Sequence, residues 1–195
     1  MKNHPINMEK VIEQTEQKKL IEACLAGNRE AQFRLYARYA STLLNSAYRI
    51  VNNREDAKDI LQDAFIKAFQ NLNTYRRQTN LEGWLRRIVI NTAINYVKKK
   101  RLLISGDLDK VLHLKAQEAE SEPSWNRNVD VETVHQCLME LPTGYRTVLS
   151  LYLLEGYDHQ EISDIMGISV STSLTQYARG KRKLASIIHK RQQHG

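Results

Sequence analysis

Apolar residues recur at three- and four-residue intervals along most of the chain, and no alternating strand pattern lasts more than a few residues. Such a periodicity builds amphipathic α-helices. Only three prolines and eight glycines interrupt 195 residues, so long helices can run unbroken. The expectation is an all-α fold. Helices are expected over about 16–26, 29–51, 54–71 and 81–101, then over 129–140, 145–154, 159–166 and 169–190. The stops have local causes. Gly27 suits a helix C-terminus and Asn28 can cap the next start. Asn52 and Asn53 break the second helix from the third, and Asp158 through Glu161 read as a capping box.

Charge divides the chain further. Six basic residues (Arg179, Lys181, Arg182, Lys183, Lys190, Arg191) and no acidic one lie between Tyr177 and the end. A second basic run, Lys98-Lys99-Lys100-Arg101, closes the first half. Between them, Asp107, Asp109, Glu118, Glu120, Glu122 and Asp130 outweigh Lys110, Lys115 and Arg127. With Gly106 and Pro123, that stretch reads as a flexible acidic linker. The organisation expected is a helical domain over 15–102, a linker over 103–129 and a second helical domain over 130–190. The net charge of +7 and two basic blocks, each ending a helical domain, point to a polyanionic partner, with nucleic acid the leading candidate.

Several function classes are poorly supported. No apolar run reaches the ~18–20 residues of a membrane span, and the N-terminal stretch has no apolar leader core. Cys24 and Cys137 lie far apart with no CxxC pair, which suits reduced thiols in a cytoplasmic protein. The six histidines show no metal-ligand spacing, so neither metal nor cofactor is expected. There is no Gly-rich phosphate loop and no convincing nucleophile–base pair, so no catalytic residue is expected.

Three helical faces carry the chemistry. On the helix over 54–71, Ala57, Ile60, Leu61, Ala64, Phe65 and Ala68 form a continuous apolar arc, while Asp59, Gln62, Asp63 and Ile66 occupy the opposite one. An isoleucine amid acids, away from the core, suggests docking to protein, since an acidic stripe repels DNA. The loop from Tyr75 to Asn80, with Arg76 and Arg77, mixes an aromatic, cations and amides, which suits stacking on an unpaired base. Arg87, Asn91, Ile94 and Lys98 then share one side of the next helix, opposite Trp84, Leu85, Ile88 and Thr92. Near the end, a short helix, Gly167 and a long basic helix have the layout of a helix-turn-helix. At about 100° per residue, Ser173, Tyr177, Gly180 and Leu184 face inward, with Ser171, Thr175, Ala178, Arg179 and Arg182 outward.

In this order the pieces resemble the small two-domain extracytoplasmic-function group of sigma-70 family sigma factors of RNA polymerase. The segment Asp56 through Phe69 is similar to the group's polymerase-docking helix. Trp84-Leu85, Ile88 and Asn91 are similar to the helix that melts and reads the minus-ten promoter element. Leu141-Pro142, Tyr145-Arg146, Glu155-Gly156-Tyr157 and Glu161-Ile162 through Gly167-Ile168-Ser169 are similar to the domain that reads the minus-thirty-five element. The resemblance implies a region 2 helical bundle and a region 4 helix-turn-helix. It implies core polymerase as a partner, through the clamp coiled coil of the largest subunit and the flap, with promoter DNA as the second. Relatives are often held by an anti-sigma factor, and another DNA-bound recruiter is conceivable; no residue here identifies either.

Carried onto this chain, the resemblance implies polymerase binding by Asp56, Asp59, Gln62, Asp63 and Ile66. It implies minus-ten contacts from Tyr75, Arg76, Arg77, Asn80, Trp84, Arg87, Asn91 and Lys98. It implies minus-thirty-five contacts from Ser171, Thr172, Leu174, Thr175, Gln176, Arg179, Arg182 and Lys183. The recognition helix departs from many relatives: Ser173 and Leu174 stand where a valine and a cation are usual, and Tyr177 and Gly180 where leucine and alanine are. Leu174 could touch a thymine methyl or cover a flank of the core.

Overall fold

The computed structural model describes residues 8–76, 80–105 and 129–194, with side chains described over 15–76, 80–100 and 129–193. Four helices make the first half: α1 (Met8–Leu25), α2 (Arg29–Val51), α3 (Arg54–Gln70) and α4 (Leu81–Ser105). A 3₁₀ turn, Leu72–Thr74, leads out of α3. The second half holds α5 (Val131–Met139), α6 (Thr143–Leu149), α7 (His159–Met166) and α8 (Val170–His194). No strand occurs among the described residues. Of the expected linker, 106–128 lies outside the described residues.

The helix boundaries follow from local chemistry. Asn28 accepts the Ala31 N–H at 3.0 Å and starts α2. Asn52 ends α2 in the left-handed region at φ 55°, which asparagine tolerates better than a branched residue. Its neighbour Asn53 returns to extended backbone and accepts the Asp56 N–H, opening α3. The capping box of Asp158 and Glu161 is formed, and α7 stops at Gly167 with φ 66°. The helix expected over 145–154 is instead two pieces. After α6 the backbone widens into a π turn, Ser150–Leu154, in which the Glu155 N–H reaches the Ser150 carbonyl. That extra residue buries Ser150 and Leu151 and leaves Tyr152, Leu153 and Leu154 exposed.

Packing makes a three-helix core of α2, α3 and α4. Leu35, Leu43 and Ile50 meet the apolar arc of α3 and Leu85, Val89 and Ile90 of α4, with Ile21 and Cys24 of α1 joining them. A second core gathers Cys137, Leu138, Leu141, Leu149, Leu184 and Ile188. The sequence did not indicate that the halves share packing. Val148, Leu151, Ile162 and Met166 belong to the first core, so the adjacent Val148 and Leu149 of α6 serve different cores.

Polar groups seal the seam. Arg146, 3% exposed, donates from Nε to the Arg49 carbonyl at 2.9 Å, from Nη1 to the Leu141 carbonyl at 2.6 Å and from Nη2 to the Ile50 carbonyl at 3.4 Å. A guanidinium from the second half thus occupies carbonyls that the last turn of α2 leaves unpaired. Asn52 adds a bond from Nδ2 to the Met139 carbonyl at 3.2 Å.

Asn52 therefore has two separable roles, a backbone conformation and a side-chain bond. Both Asn52→Val and Asn52→Gly remove the bond, but only valine strains the left-handed backbone. In urea denaturation, Asn52→Val should cost about 1–2 kcal/mol more than Asn52→Gly. Equal losses would contradict the left-handed cap.

Candidate nucleic-acid and polymerase interfaces

Burial of the α3 apolar arc fixes what that helix presents outward. Asp59, Gln62 and Asp63 are exposed, and Ile66 is 55% exposed at the same face. Asp56 stands apart from them. Its carboxylate pairs with Lys100 Nζ at 2.8 Å, tying the start of α3 to the basic end of α4. That hydrogen bond holds the Asp56 carboxyl below the ordinary aspartate range and raises Lys100. With a lowered carboxyl value, the contribution of the tie is present above the unfolded value and fades as pH falls through the folded one.

The loop after α3 places Tyr75 against Trp84, their ring centroids 5.6 Å apart and the planes tilted by 52°. Arg76 and Asn80 are exposed, and the Asn80 side-chain oxygen accepts the Glu82 N–H at 3.0 Å, at the start of α4. Arg77 lies outside the described residues. Along α4, Arg87 and Asn91 are exposed. Ile94, expected on the same face, is buried in the first core, which Ile162 and Met166 of α7 also join. Lys98 is half-buried, its Nζ 3.3 Å from where a Cβ on Gly167 would stand. Burial pushes the Tyr157 hydroxyl up, and the Arg87 charge opposes that rise.

In the helix-turn-helix, Ser171, Thr175, Arg182 and Lys183 are exposed and Thr172 and Arg179 are half-buried. Thr172 and Thr175 spend part of their bonding locally: the Thr172 hydroxyl is 2.8 Å from that of Ser169, and the Thr175 hydroxyl donates to the Ser171 carbonyl. Leu174 is 50% exposed and so belongs to the outer surface rather than the core. Gln176 corrects an expectation. It is 4% exposed, and its Oε1 lies 3.1 Å from where a Cβ on Gly144 would stand. The side chain fills the space left by that glycine between α6 and α8, so it is not on the face offered to DNA.

The unusual inward residues of α8 find partners. Ser173 is fully buried, and its hydroxyl is 2.9 Å from His159 Nδ1. Tyr177 packs with Tyr152 and His159, at centroid distances of 4.7 and 5.4 Å. Gly180 allows close approach to α6, where an added Cβ would meet Leu149 and Tyr145 at 3.2 Å. These residues thus interlock as a set, a large ring in one place offset by small residues on either side.

Sequence reasoning missed the charged seam. The Glu155 side chain, 4% exposed, pairs with the Arg49 guanidinium and lies 3.3 Å from Arg86 Nε. Glu155 and Arg146 sit in motifs visible in the sequence, but their partners across the seam are some seventy to a hundred residues away and carry no local signal. Among the described residues no cluster of three or more His, Cys, Asp or Glu is placed to hold a metal, and no helix is long and apolar enough to cross a membrane. Cys24 and Cys137 are buried free thiols, both raised by that burial.

Comparison with known proteins shows the family of the chain. Residues 35–102 match Sigma-70 region 2 and residues 132–184 match Sigma-70, region 4. RNA polymerase sigma factor YlaC of Bacillus subtilis is 30% identical over 152 residues, covering 77% of this chain and 87% of that protein. RNA polymerase sigma-H factor of Pseudomonas aeruginosa is 28% identical over 187 residues, covering 89% and 94%. A similar fold occurs in the sigma factor RpoE from Bartonella quintana, solved in complex with the anti-sigma factor NepR. Its TM-score is 0.53 at 17% identity, covering 80% of this chain and 95% of that one. Two helical regions in this order, with relatives matched over nearly their whole length, place the chain in the sigma-70 family of RNA polymerase sigma factors, in its extracytoplasmic-function group.

The inward position of Gln176 is open to direct test. Gln176→Arg should lower the melting temperature by several degrees, because it buries an unpaired charge. Thr175→Arg, one residue earlier and exposed, should leave it within about a degree, as surface changes usually do. Similar melting for the two variants would restore Gln176 to the outer face.

Proposed function

We propose that this sigma factor meets polymerase and promoter through three separate surfaces and catalyses nothing itself. The observation that carries the reading is the separation of one acidic, isoleucine-tipped face on α3 from the cationic and hydroxyl-bearing faces of α4 and α8. Asp59, Gln62, Asp63 and Ile66 would dock on the clamp coiled coil of the largest polymerase subunit. An apolar contact ringed by acids suits a basic protein surface and repels phosphate. Asp56 would act mainly by holding α3 to α4 through Lys100.

Tyr75, Arg76, Arg77, Asn80, Trp84, Arg87, Asn91 and Lys98 would serve the minus-ten element. The aromatics provide a surface for an unstacked base, and the cations and amides hold the strand. Ser171, Thr172, Leu174, Thr175, Arg179, Arg182 and Lys183 would meet the minus-thirty-five duplex. Hydroxyls and a guanidinium can read base edges in the major groove, while Leu174 meets a thymine methyl. The proposed organisation is a minus-ten domain over 15–102, an acidic linker over 103–129 reaching toward the active centre, and a minus-thirty-five domain over 130–190. The flap of the polymerase and an anti-sigma factor are further proposed partners, and the proposed compartment is the cytoplasm.

Docking is tested by reversing the stripe. Asp59→Arg with Asp63→Arg should leave helicity and melting near normal, since both side chains are exposed, yet abolish binding to core polymerase. Wild-type affinity in the double variant would refute the assignment of α3. For DNA, Arg179→Ala in the holoenzyme should cost about 1–3 kcal/mol and relax preference at one position of the minus-thirty-five element. A uniform loss across a promoter library, with the salt slope reduced by about one, would show a phosphate contact instead.

A further inference from the structure

Three aromatic rings meet where α7 begins. His159, the first residue of α7, stacks on Tyr152 of the π turn, with centroids 4.7 Å apart and planes 22° apart. Tyr177 of α8 stands edge-on to it at 5.4 Å. The His159 Nδ1 is 2.9 Å from the hydroxyl of Ser173, which is fully buried, while the histidine itself is half-buried. The two nitrogens of an imidazole point in widely different directions. With Nδ1 turned in to Ser173, Nε2 points away from that buried hydroxyl. Lys181, exposed on α8, lays its ammonium over the same Tyr177 ring at 4.8 Å from the centroid. His159 and Lys181 therefore border one ring on a single flank of the recognition helix.

Ser173 accommodates the ring in either charge state. Against a neutral ring with its hydrogen on Nε2, the serine hydroxyl donates to Nδ1. Against the imidazolium, Nδ1–H donates to the serine oxygen, and the hydroxyl turns to the Ser169 carbonyl one turn back, which already accepts the Ser173 N–H at 3.0 Å. In both cases Nε2 carries a hydrogen, so gaining a proton changes the charge of the group without moving it. In a helix-turn-helix the first helix crosses the DNA backbone while the second enters the groove, so a donor at the start of α7 meets phosphate. The charged groups around the ring are few. Lys181 of α8 opposes a second positive charge but shares its attraction for phosphate. On α7 itself Asp158 and Glu161 favour the imidazolium, and each already accepts the other's N–H in the capping box. Tyr152 of the π turn and Tyr177 of α8 add only phenols.

We propose that His159 is a proton-sensitive phosphate contact: its Nε2–H holds one backbone phosphate beside the minus-thirty-five element, Ser173 fixes which nitrogen does so, and protonation adds a charge to a bond already in place. Phosphate holds the charged ring more strongly than the neutral one, so binding takes up a proton. Promoter binding therefore tightens as pH falls from about 8 to about 6, within the range where histidine ordinarily changes charge. The gain is independent of base sequence, because the contact is to the backbone. The proposal rests on α8 being the minus-thirty-five reader.

The test measures holoenzyme affinity for a promoter recovered by run-off transcription, at about pH 6 and about pH 8 and at two salt concentrations. His159→Gln is the reference: its amide keeps a donor but does not titrate, and it carries the pH response of every other histidine and of the polymerase. Lowering the pH should tighten wild-type binding by about fivefold more than it tightens binding of the variant. The wild-type salt slope should steepen by about one over the same change, and the variant's should not. An uncharged methylphosphonate, placed at single phosphates across the minus-thirty-five element, should abolish the extra wild-type response at one of them; this arm needs no variant. An equal pH response in wild type and His159→Gln would overturn the contact. So would a wild-type response that survives every methylphosphonate while some of them weaken binding. If no methylphosphonate weakens binding at all, α8 is not on the minus-thirty-five element, and the proposal falls with that reading rather than through His159.

Discussion

The apolar arc of α3, buried against α2 and α4, orients everything the first half offers. Once Ala57, Leu61, Ala64 and Phe65 are committed to the core, Asp59, Asp63 and Ile66 have only the solvent side left. The same packing positions α4, with Trp84 supported by Tyr75 and Lys100 tied to Asp56. The acidic surface proposed to meet protein and the one proposed to meet nucleic acid are therefore held on neighbouring helices of one small core, close together but differing in charge.

The second half solves a different problem. Its recognition helix turns the small residues Ser173 and Gly180 inward, and larger neighbours fill the space beside them. Tyr177 with Tyr152 and His159 supplies the volume, Ser173 bonds to His159, and Gln176 occupies the gap beside Gly144. The consequence for function is a sparse outer face. Ser171, Leu174, Thr175 and Arg179 remain as the proposed readers of bases, with Arg182 and Lys183 proposed to supply charge.

Much of this was legible in the sequence because it is periodic or local. The apolar arc of α3, the Asn52–Asn53 break, the capping box at Asp158 and the turn at Gly167 are each set by residues within a few positions of one another. The inward set on α8 also followed from spacing, except Gln176, a polar residue drawn inward by a glycine on another helix. The π turn after α6 was hidden, since widening a helix by one residue leaves the apolar pattern nearly intact. The seam was hidden for a stronger reason: Arg146 reaches backbone carbonyls and Glu155 reaches arginines some seventy to a hundred residues away, and neither leaves a mark on its neighbours.

The central claim is that these faces act together to start transcription at promoters. The most direct measurement is reconstituted run-off transcription with purified core polymerase on a genomic DNA library. Adding the chain should produce discrete new start sites whose upstream sequences share two spaced elements, one for each half of the protein. A transcript profile identical with and without the chain, under conditions where the chain is folded, would contradict the account.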